Sequence, residues 1–327
     1  MNNIILSHND MDGFGCVLSA RKFDKNISLF NVGYDVITTT IIQISNILKS
    51  TVVENIFITD LNFSEDDTIE LYKLVKHNPS VTITYIDHHP YETERQHQIF
   101  NKMKEFNNFT FIHTEKHCAT WIFYKWLLSK NMITTSDDYE KLMSLINIFD
   151  VWKDKEPLFK LALSLNDIFY EYFGDKFVNI MERNEYKLGG QIKENMIHVI
   201  EKKNIFFKKL ESEGYITPVN DDILLFISNS YMNHMTIDYP GYKVYINVRM
   251  KEDSGALSVR LRDDIDNLKE IKLGIIGAIM ETGYVLSSGG HDAAFGVTMN
   301  PGCHDKVIPV AEVIARKSAE LLSKINI

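Results

Sequence analysis

Cysteine is scarce in this chain of 327 residues: Cys16, Cys118 and Cys303 are widely spaced, odd in number, and form no Cys-x-x-Cys pair. That pattern excludes a disulfide ladder and suits a reducing cytoplasm. Also missing is any run approaching the ~18–20 apolar residues of a membrane helix, and the N-terminus lacks a basic region followed by an apolar stretch. A cytoplasmic protein with no membrane role is expected. Positive charge is short as well, since 35 Lys and Arg face 44 Asp and Glu for a net charge of −9. Long DNA or RNA is therefore not an expected partner. A polyanionic substrate would need a locally positive site, which bound divalent metals can supply. What is present, 45% hydrophobic and 24% charged residues, is ordinary globular composition. The length accommodates two domains of about 100–200 residues.

The chain is organised around Ile4-Ile5-Leu6-Ser7-His8-Asn9-Asp10-Met11-Asp12-Gly13-Phe14-Gly15-Cys16. Ile4 to Leu6 read as a buried strand and Val17 to Lys22 as the start of a helical pattern, which puts the polar residues on the turn between them. Open α/β sheets place their chemistry there, at the carboxyl ends of strands. His8, Asp10 and Asp12 alternate, and in extended backbone alternate side chains project to one side. Gly13 and Gly15 allow a close helix and a close ligand. A bland alternative stands beside this: Asn9 or Asp10 as a simple helix cap. Repetition argues for more than a cap. Asn55 to Ile58 lead to Asp60, Val81 to Ile86 lead to Asp87-His88-His89-Pro90, and Leu142 to Phe149 lead to Asp150. Four segments thus deliver carboxylates or imidazoles where an apolar element ends.

Further elements follow from spacing. Ile27 to Val32 form a short strand flanking the first. Ile41, Ile42, Ile44, Ile47 and Leu48 mark a helix, and Ser64 with Asp67 cap another that buries Ile69, Leu71, Leu74 and Val75. Strand and helix in alternation predict a parallel sheet with helices on both faces. Tyr91 to Asn108 is polar without strong periodicity, the pattern of a surface connection. His113, Glu115 and His117 lack the His-Glu-x-x-His order of a zinc helix. The aromatic stripe Trp121, Phe123, Tyr124 and Trp126 reads as core. Asp154 to Asn220 has helical spacing and reads as the connection to a smaller α/β domain. That domain has strands at Ile223–Ser228, Lys243–Met250 and Ala256–Arg262 and a helix from about Leu268 to Thr282. Arg249, Arg260 and Arg262 are three of the chain's seven arginines. Arg260 and Arg262 share a strand face suited to phosphate, with surface ion pairing as the alternative. Gly289-Gly290-His291 is expected to open a helix or tight turn, with backbone N–H groups and His291 as donors to a phosphate or nucleotide edge.

In order and spacing, His8-Asn9-Asp10-Met11-Asp12-Gly13, Asp60, Asp87-His88-His89 and Asp150 resemble the four motifs of the DHH phosphoesterase superfamily. Leu257 to Arg262, Gly274 to Gly283 and Ser288 to Gly296 resemble its associated DHHA1 domain. Ser7-His8-Asn9-Asp10 with Gly13, and Asp150-Val151-Trp152, look most like nanoRNase B type oligoribonucleases. The chain departs from the family's run of three or four Gly before the His, having Ser287-Ser288-Gly289-Gly290. The resemblance implies an N-terminal doubly wound, mainly parallel-sheet DHH domain (1–185), a helical linker (186–219) and a smaller α/β DHHA1 domain (220–327).

It also implies two divalent ions, commonly manganese, that share one carboxylate. His8, Asp10 and Asp60 would hold one ion. Asp12, Asp60, His88 and Asp150 would hold the other. His89 would contact the scissile phosphate or protonate the leaving group, with Asp87 orienting an imidazole or a turn. Arg260, Arg262, Gly289, Gly290 and His291 would bind substrate, and the cleft between domains would act as a ruler for short RNA. The expected activity is metal-dependent hydrolysis of short oligoribonucleotides to mononucleotides. The rivals are a phosphodiesterase or phosphatase for small nucleotide signals, such as cyclic di- or oligonucleotides or bisphosphorylated adenosine, and an inactive nucleotide sensor. Oligomeric state lies beyond the sequence, with a homodimer left open.

Overall fold

The computed structural model describes residues 3–90, 93–228, 239–250, 255–262 and 264–325. The chain divides into two compact units, Met1–Ile200 and Glu201–Ile327. In the first, strands β1 (Asn3–His8), β2 (Ser28–Val32), β3 (Asn55–Thr59), β4 (Thr82–Asp87) and β5 (Phe109–His113) form one sheet in the order β2-β1-β3-β4-β5. All its pairings are parallel. Helices α1 (Met11–Phe23) and α5 (Ala119–Ser129) lie on one face. There Phe57 meets Phe123 and Trp126 with ring centroids 5.2 and 6.1 Å apart. On the other face Ile4, Leu6, Ile56, Ile58 and Ile83 pack with apolar residues of α2 (Ile37–Ile47), α3 (Glu65–His77) and α4 (Glu94–Met103). Strands buried on both faces explain why runs such as Ile56-Phe57-Ile58 are continuously apolar.

The order of this sheet locates the chemistry. β1 has β2 on one side and β3 on the other, so the winding reverses between β1 and β3. Ligands of open α/β sheets bind beyond the carboxyl ends of the strands at such a reversal. His8 ends β1, and Asp60 directly follows β3. Chain entry into α1 depends on two glycines. A Cβ on Gly13 would stand 2.1 Å from the His8 carbonyl oxygen, and one on Gly15 would stand 2.2 Å from Thr120 Oγ1.

Two expectations need correction. The polar stretch after Tyr91 holds α4, which starts at a reciprocal capping box of Thr93 and Gln96 and buries Phe100 and Met103. Its apolar face is too narrow to stand out among the charges. Much of the expected connection is instead part of the first unit: α7 (Phe159–Tyr172) packs on α6 (Asp137–Asp150), and α8 (Asp175–Arg183) packs on α1. Phe14 of α1 meets Phe169 and Phe173 at centroid distances of 5.4 and 6.0 Å. Helix α9 (Gln191–Ser212) then crosses from one unit to the other.

Of the two arrangements expected at Gly289-Gly290-His291, the structure shows the tight turn and no helix, with His291 pairing with Ala294 across the two-residue turn Asp292-Ala293. The Gly-Gly-His stretch ends an edge strand of the second unit's sheet. That sheet contains β6 (Ile216–Asn220), β7 (Ile223–Ser228), β8 (Val244–Met250), β9 (Gly255–Leu261), β10 (Val285–His291) and β11 (Ala294–Met299), in the order β10-β11-β9-β8-β7-β6. β7 and β8 pair in parallel and the other pairs are antiparallel. Helices α10 (Leu268–Met280) and α11 (Val307–Ile325) cover one face. Phe207 and Leu210 of α9 pack on Leu224, Phe226 and Tyr245 of the other. Among the described residues no helix is long and apolar enough to cross a membrane.

Because the His8 carbonyl is backbone and cannot swing aside, Gly13→Ala is expected to destabilise the first unit by at least ~1–3 kcal/mol. Urea denaturation monitored by tryptophan fluorescence measures the loss.

Candidate metal centre

The turn after β1, the ends of β3 and β4, and the end of α6 bring six side chains together. His8 Nδ1 lies 2.9 Å from Asp10 Oδ2 and 3.9 Å from Asp60 Oδ2. His88 Nε2 lies 3.3 Å from Asp60 Oδ1, 3.4 Å from Asp150 Oδ2 and 3.6 Å from Asp12 Oδ2. The donor atoms fall into three overlapping groups, His8–Asp10–Asp60, Asp60–His88–His89 and Asp12–His88–Asp150, each within 4.8 Å. Asp60 belongs to two of them. Its backbone takes the left-handed φ of 57°, which short polar residues tolerate best, while its N–H donates to the Ile86 carbonyl at 3.0 Å. That conformation brings one carboxylate within reach of both His8 and His88.

Convergence is not achieved by extended alternation. β1 stops at His8 and α1 begins at Met11, so Asp12 lies in the first helical turn. Asp10 is also the cap of α1, accepting from the Gly13 N–H at 3.0 Å, so the cap and the cluster are one feature. His89 likewise does not point away from His88. β4 ends at Asp87, which removes the strand's twofold alternation, and the two imidazole centroids are 4.4 Å apart.

Electrostatics favour a cation here. Burial, and then the charges of Asp12, Asp10 and Asp150, push the Asp60 carboxyl well above its ordinary range. Asp150 is raised in the same way, by burial and then by Asp12 and Asp10. Asp60 Oδ2 and Asp150 Oδ2 are buried and accept no hydrogen bond from the described residues. Such atoms are costly to leave unpaired. A divalent cation supplies what they lack, and a mixed set of carboxylates and imidazoles without thiolate fits one.

The backbone at the start of α5 holds this cluster from behind. Ala119 N–H donates to Asp12 Oδ2 and Thr120 N–H to Asp12 Oδ1, both at 2.9 Å. Cys118 N–H donates to Asn147 Oδ1 at 2.9 Å. Asn147 stands three residues before Asp150 on α6, so three successive N–H groups fix both the α1 and the α6 side of the centre. Sequence reasoning missed Asn147. Its spacing from Asp150, which puts both on one helix face, was the available signal.

His89 has its own support. Its Nδ1 lies 2.9 Å from Asp87 Oδ1, and the Tyr85 hydroxyl donates to Asp87 Oδ2 at 3.1 Å and to the Leu61 carbonyl at 2.6 Å. Burial would raise the Asp87 carboxyl, yet His89 beside it holds it below the ordinary range. Tyr34, another residue the sequence did not single out, stacks on His8 with centroids 4.6 Å apart and planes at 28°.

The expected substrate residues lie in the second unit. Arg260 sits on β9, opposite Tyr245 of β8 and Ala294 of β11. Arg262, one residue past the strand, is ion-paired with Asp264. The ion-pair alternative therefore holds for Arg262. Gly289 and Gly290 pair with Gly296 and Phe295 across the β10–β11 hairpin. Lys272 of α10, unanticipated, donates to the Gly290 carbonyl at 2.5 Å and lies 3.3 Å from Asp292. His291 ends β10, and its side chain lies outside the described part of the structure.

Two outcomes are expected. Asp60→Asn should stabilise the metal-free protein by about 0.5–2 kcal/mol, because it relieves carboxylate crowding. Mn²⁺ should then raise the melting temperature of the wild type far more than that of the variant. Asn147→Ala should weaken Mn²⁺ binding by roughly 10–100-fold in calorimetry, the usual loss when a ligand's support is removed.

No protein-family model matches the chain. A 3′,5′-cyclic-nucleotide phosphodiesterase of Helicobacter pylori is 28% identical over 167 residues, 48% of this chain and 45% of that protein. Oligoribonuclease NrnB of Bacillus subtilis is 25% identical over 179 residues, 53% of this chain and 42% of that protein. The matched region thus spans less than half the length of either relative. Among solved structures, the DHH domain of a member of the s1p family of ribosomal proteins superposes with a TM-score of 0.64 at 15% identity, covering 98% of this chain and 86% of that one. Exonuclease RecJ bound to manganese gives 0.54 at 12% identity, covering 97% and 90%. The chain is thus similar over about half its length to a cyclic-nucleotide phosphodiesterase and an oligoribonuclease, and it shares the fold of DHH-domain proteins, with its four acidic and histidine motifs gathered at the carboxyl edge of a parallel sheet.

Proposed function

We propose that this protein is a Mn²⁺-dependent phosphodiesterase that hydrolyses short oligoribonucleotides to mononucleotides. The observation that carries the reading is the convergence of Asp10, Asp12, Asp60 and Asp150 on His8 and His88, with buried carboxylate oxygens lacking donors. A phosphate cannot approach four carboxylates in a chain of net charge −9 unless cations intervene. Divalent ions bound there would supply charge neutralisation at a phosphate and a lowered pKa for water.

The chain's own groups would do the rest. Asp60 would serve both ions, with His8 and Asp10 on one side and Asp12, His88 and Asp150 on the other. Asp87 would keep the His89 imidazole oriented, so that His89 Nε2 can hold the scissile phosphate or pass a proton to the leaving oxygen. No Ser or Cys nucleophile is needed. In the second unit Arg260, Arg262, Gly289, Gly290 and His291 would contact the substrate, with Arg262 exchanging its tie to Asp264 for a phosphate. The three unpaired cysteines support a cytoplasmic location. A second reading, hydrolysis of small nucleotide signals, draws on the likeness to the cyclic-nucleotide phosphodiesterase.

The test is Mn²⁺-dependent hydrolysis of an end-labelled RNA length series beside cyclic nucleotides and bisphosphorylated adenosine. Rates should peak at the shortest RNAs, Asp60→Ala should nearly abolish turnover, and Arg260→Ala should chiefly raise KM. Turnover of the signal compounds alone would favour the second reading, and metal binding without turnover of any would favour a sensor.

A further inference from the structure

Tyr34 is a large aromatic residue placed where the fold does not need it. It opens a single turn, Tyr34–Val36, after β2, at the sheet edge next to β1. It is 48% exposed, and no hydrogen bond to its hydroxyl occurs among the described residues. The β2 core contact is made instead by Val32, and the helix that follows the turn is anchored by Ile37. Burial therefore does not explain the ring.

Its neighbours do. One ring face lies on His8, centroids 4.6 Å apart with planes at 28°, and His89 meets the ring edge-on, centroids 6.5 Å apart at 88°. The ring is thus held at the rim of the carboxylate cluster, between the imidazole at the end of β1 and the imidazole after β4. A phosphate in contact with both imidazoles would therefore have this half-exposed ring beside it. Among the described residues, the other well-exposed aromatics of the first unit, Tyr170 and Phe173, lie on and just after α7.

From this placement we infer that Tyr34 is a stacking platform for the nucleobase of a nucleotide flanking the scissile phosphate. The inference rests on the nucleotide phosphodiesterase reading and adds to it a substrate feature, a flat base beside the broken bond. Held by His8, the ring would offer a pre-oriented surface to purine or pyrimidine alike, since every base has a π-face. It would contribute to binding equally in the ground and transition states, so it would act on KM rather than kcat.

The test compares wild type, Tyr34→Ala and Tyr34→Trp on a diribonucleotide and on two counterparts, each lacking one base. For the intact dinucleotide, Tyr34→Ala should raise KM by roughly 5- to 150-fold with kcat little changed, and Tyr34→Trp should keep KM at or below the wild-type value. For the counterpart lacking the stacked base, wild type and Tyr34→Ala should have the same KM. Mn²⁺ stoichiometry by calorimetry should match in all three proteins. Equal losses on the intact and both base-deleted substrates, or a loss of bound Mn²⁺ in Tyr34→Ala, would overturn the platform and make Tyr34 a support for His8. Unchanged KM in Tyr34→Ala on the intact dinucleotide would also overturn it. Wild type inactive on every dinucleotide would instead bring down the underlying reading, and the platform with it.

Discussion

Crowding of like charge is the constraint around which the first unit is built. Four carboxylates stand near two imidazoles at one edge of the sheet, and two of their oxygens are buried without donors among the described residues. Left to itself, such a group works against the folded state, because burial and mutual repulsion both disfavour ionised Asp60 and Asp150. The fold tolerates it because segments that carry the cluster are pinned elsewhere. Asp60 is set by its left-handed backbone and the hydrogen bond to Ile86, Asp10 by its capping role, and His89 by Asp87 and Tyr85. Strain is concentrated where a cation would relieve it.

The start of α5 is the other half of that arrangement. Its N–H groups would be orphaned at any helix N-terminus. Here Asp12 and Asn147 take them up, so a requirement of secondary structure becomes a clamp across α1, α5 and α6. Gly15 lets α1 approach Thr120 closely enough for this to happen. A small residue and an acid of α1 thus act as one unit with a helix end more than a hundred positions away in the chain.

In the second unit the polar residues are distributed differently. Arg260 occupies an intermediate-burial face of β9, whereas the alternate residues Leu257, Val259 and Leu261 enter the core under α10 and α11. Lys272 reaches from α10 to the end of the Gly-rich strand, tying the turn after His291 to a helix. A strand edge low in side chains and flanked by a cation is suited to a backbone that must come close to an anionic ligand.

Much of this was legible from sequence because it is local. Apolar runs ending in acids announce strands β1, β3 and β4, Ser64 with Asp67 announces α3, and Asp137 to Asp150 reads as one helix. Parallel winding follows from their alternation, and it predicts that His8, Asp60 and His88 share an edge. The sequence by itself therefore determined the first unit's α/β class, the family resemblance and the membership of the cluster. Tertiary structure decided how the cluster is held and what surrounds it. Helix α4 was hidden by its charged surface, and the helical spacing of α7 and α8 did not show the packing on α6 and α1 that makes them part of the first unit. Thr120 and Tyr34 acquired meaning only when chain segments far apart were brought within hydrogen-bonding or stacking distance. Periodicity reports which face a residue takes within its own element, and it carries no information about which backbone group or ring will stand opposite.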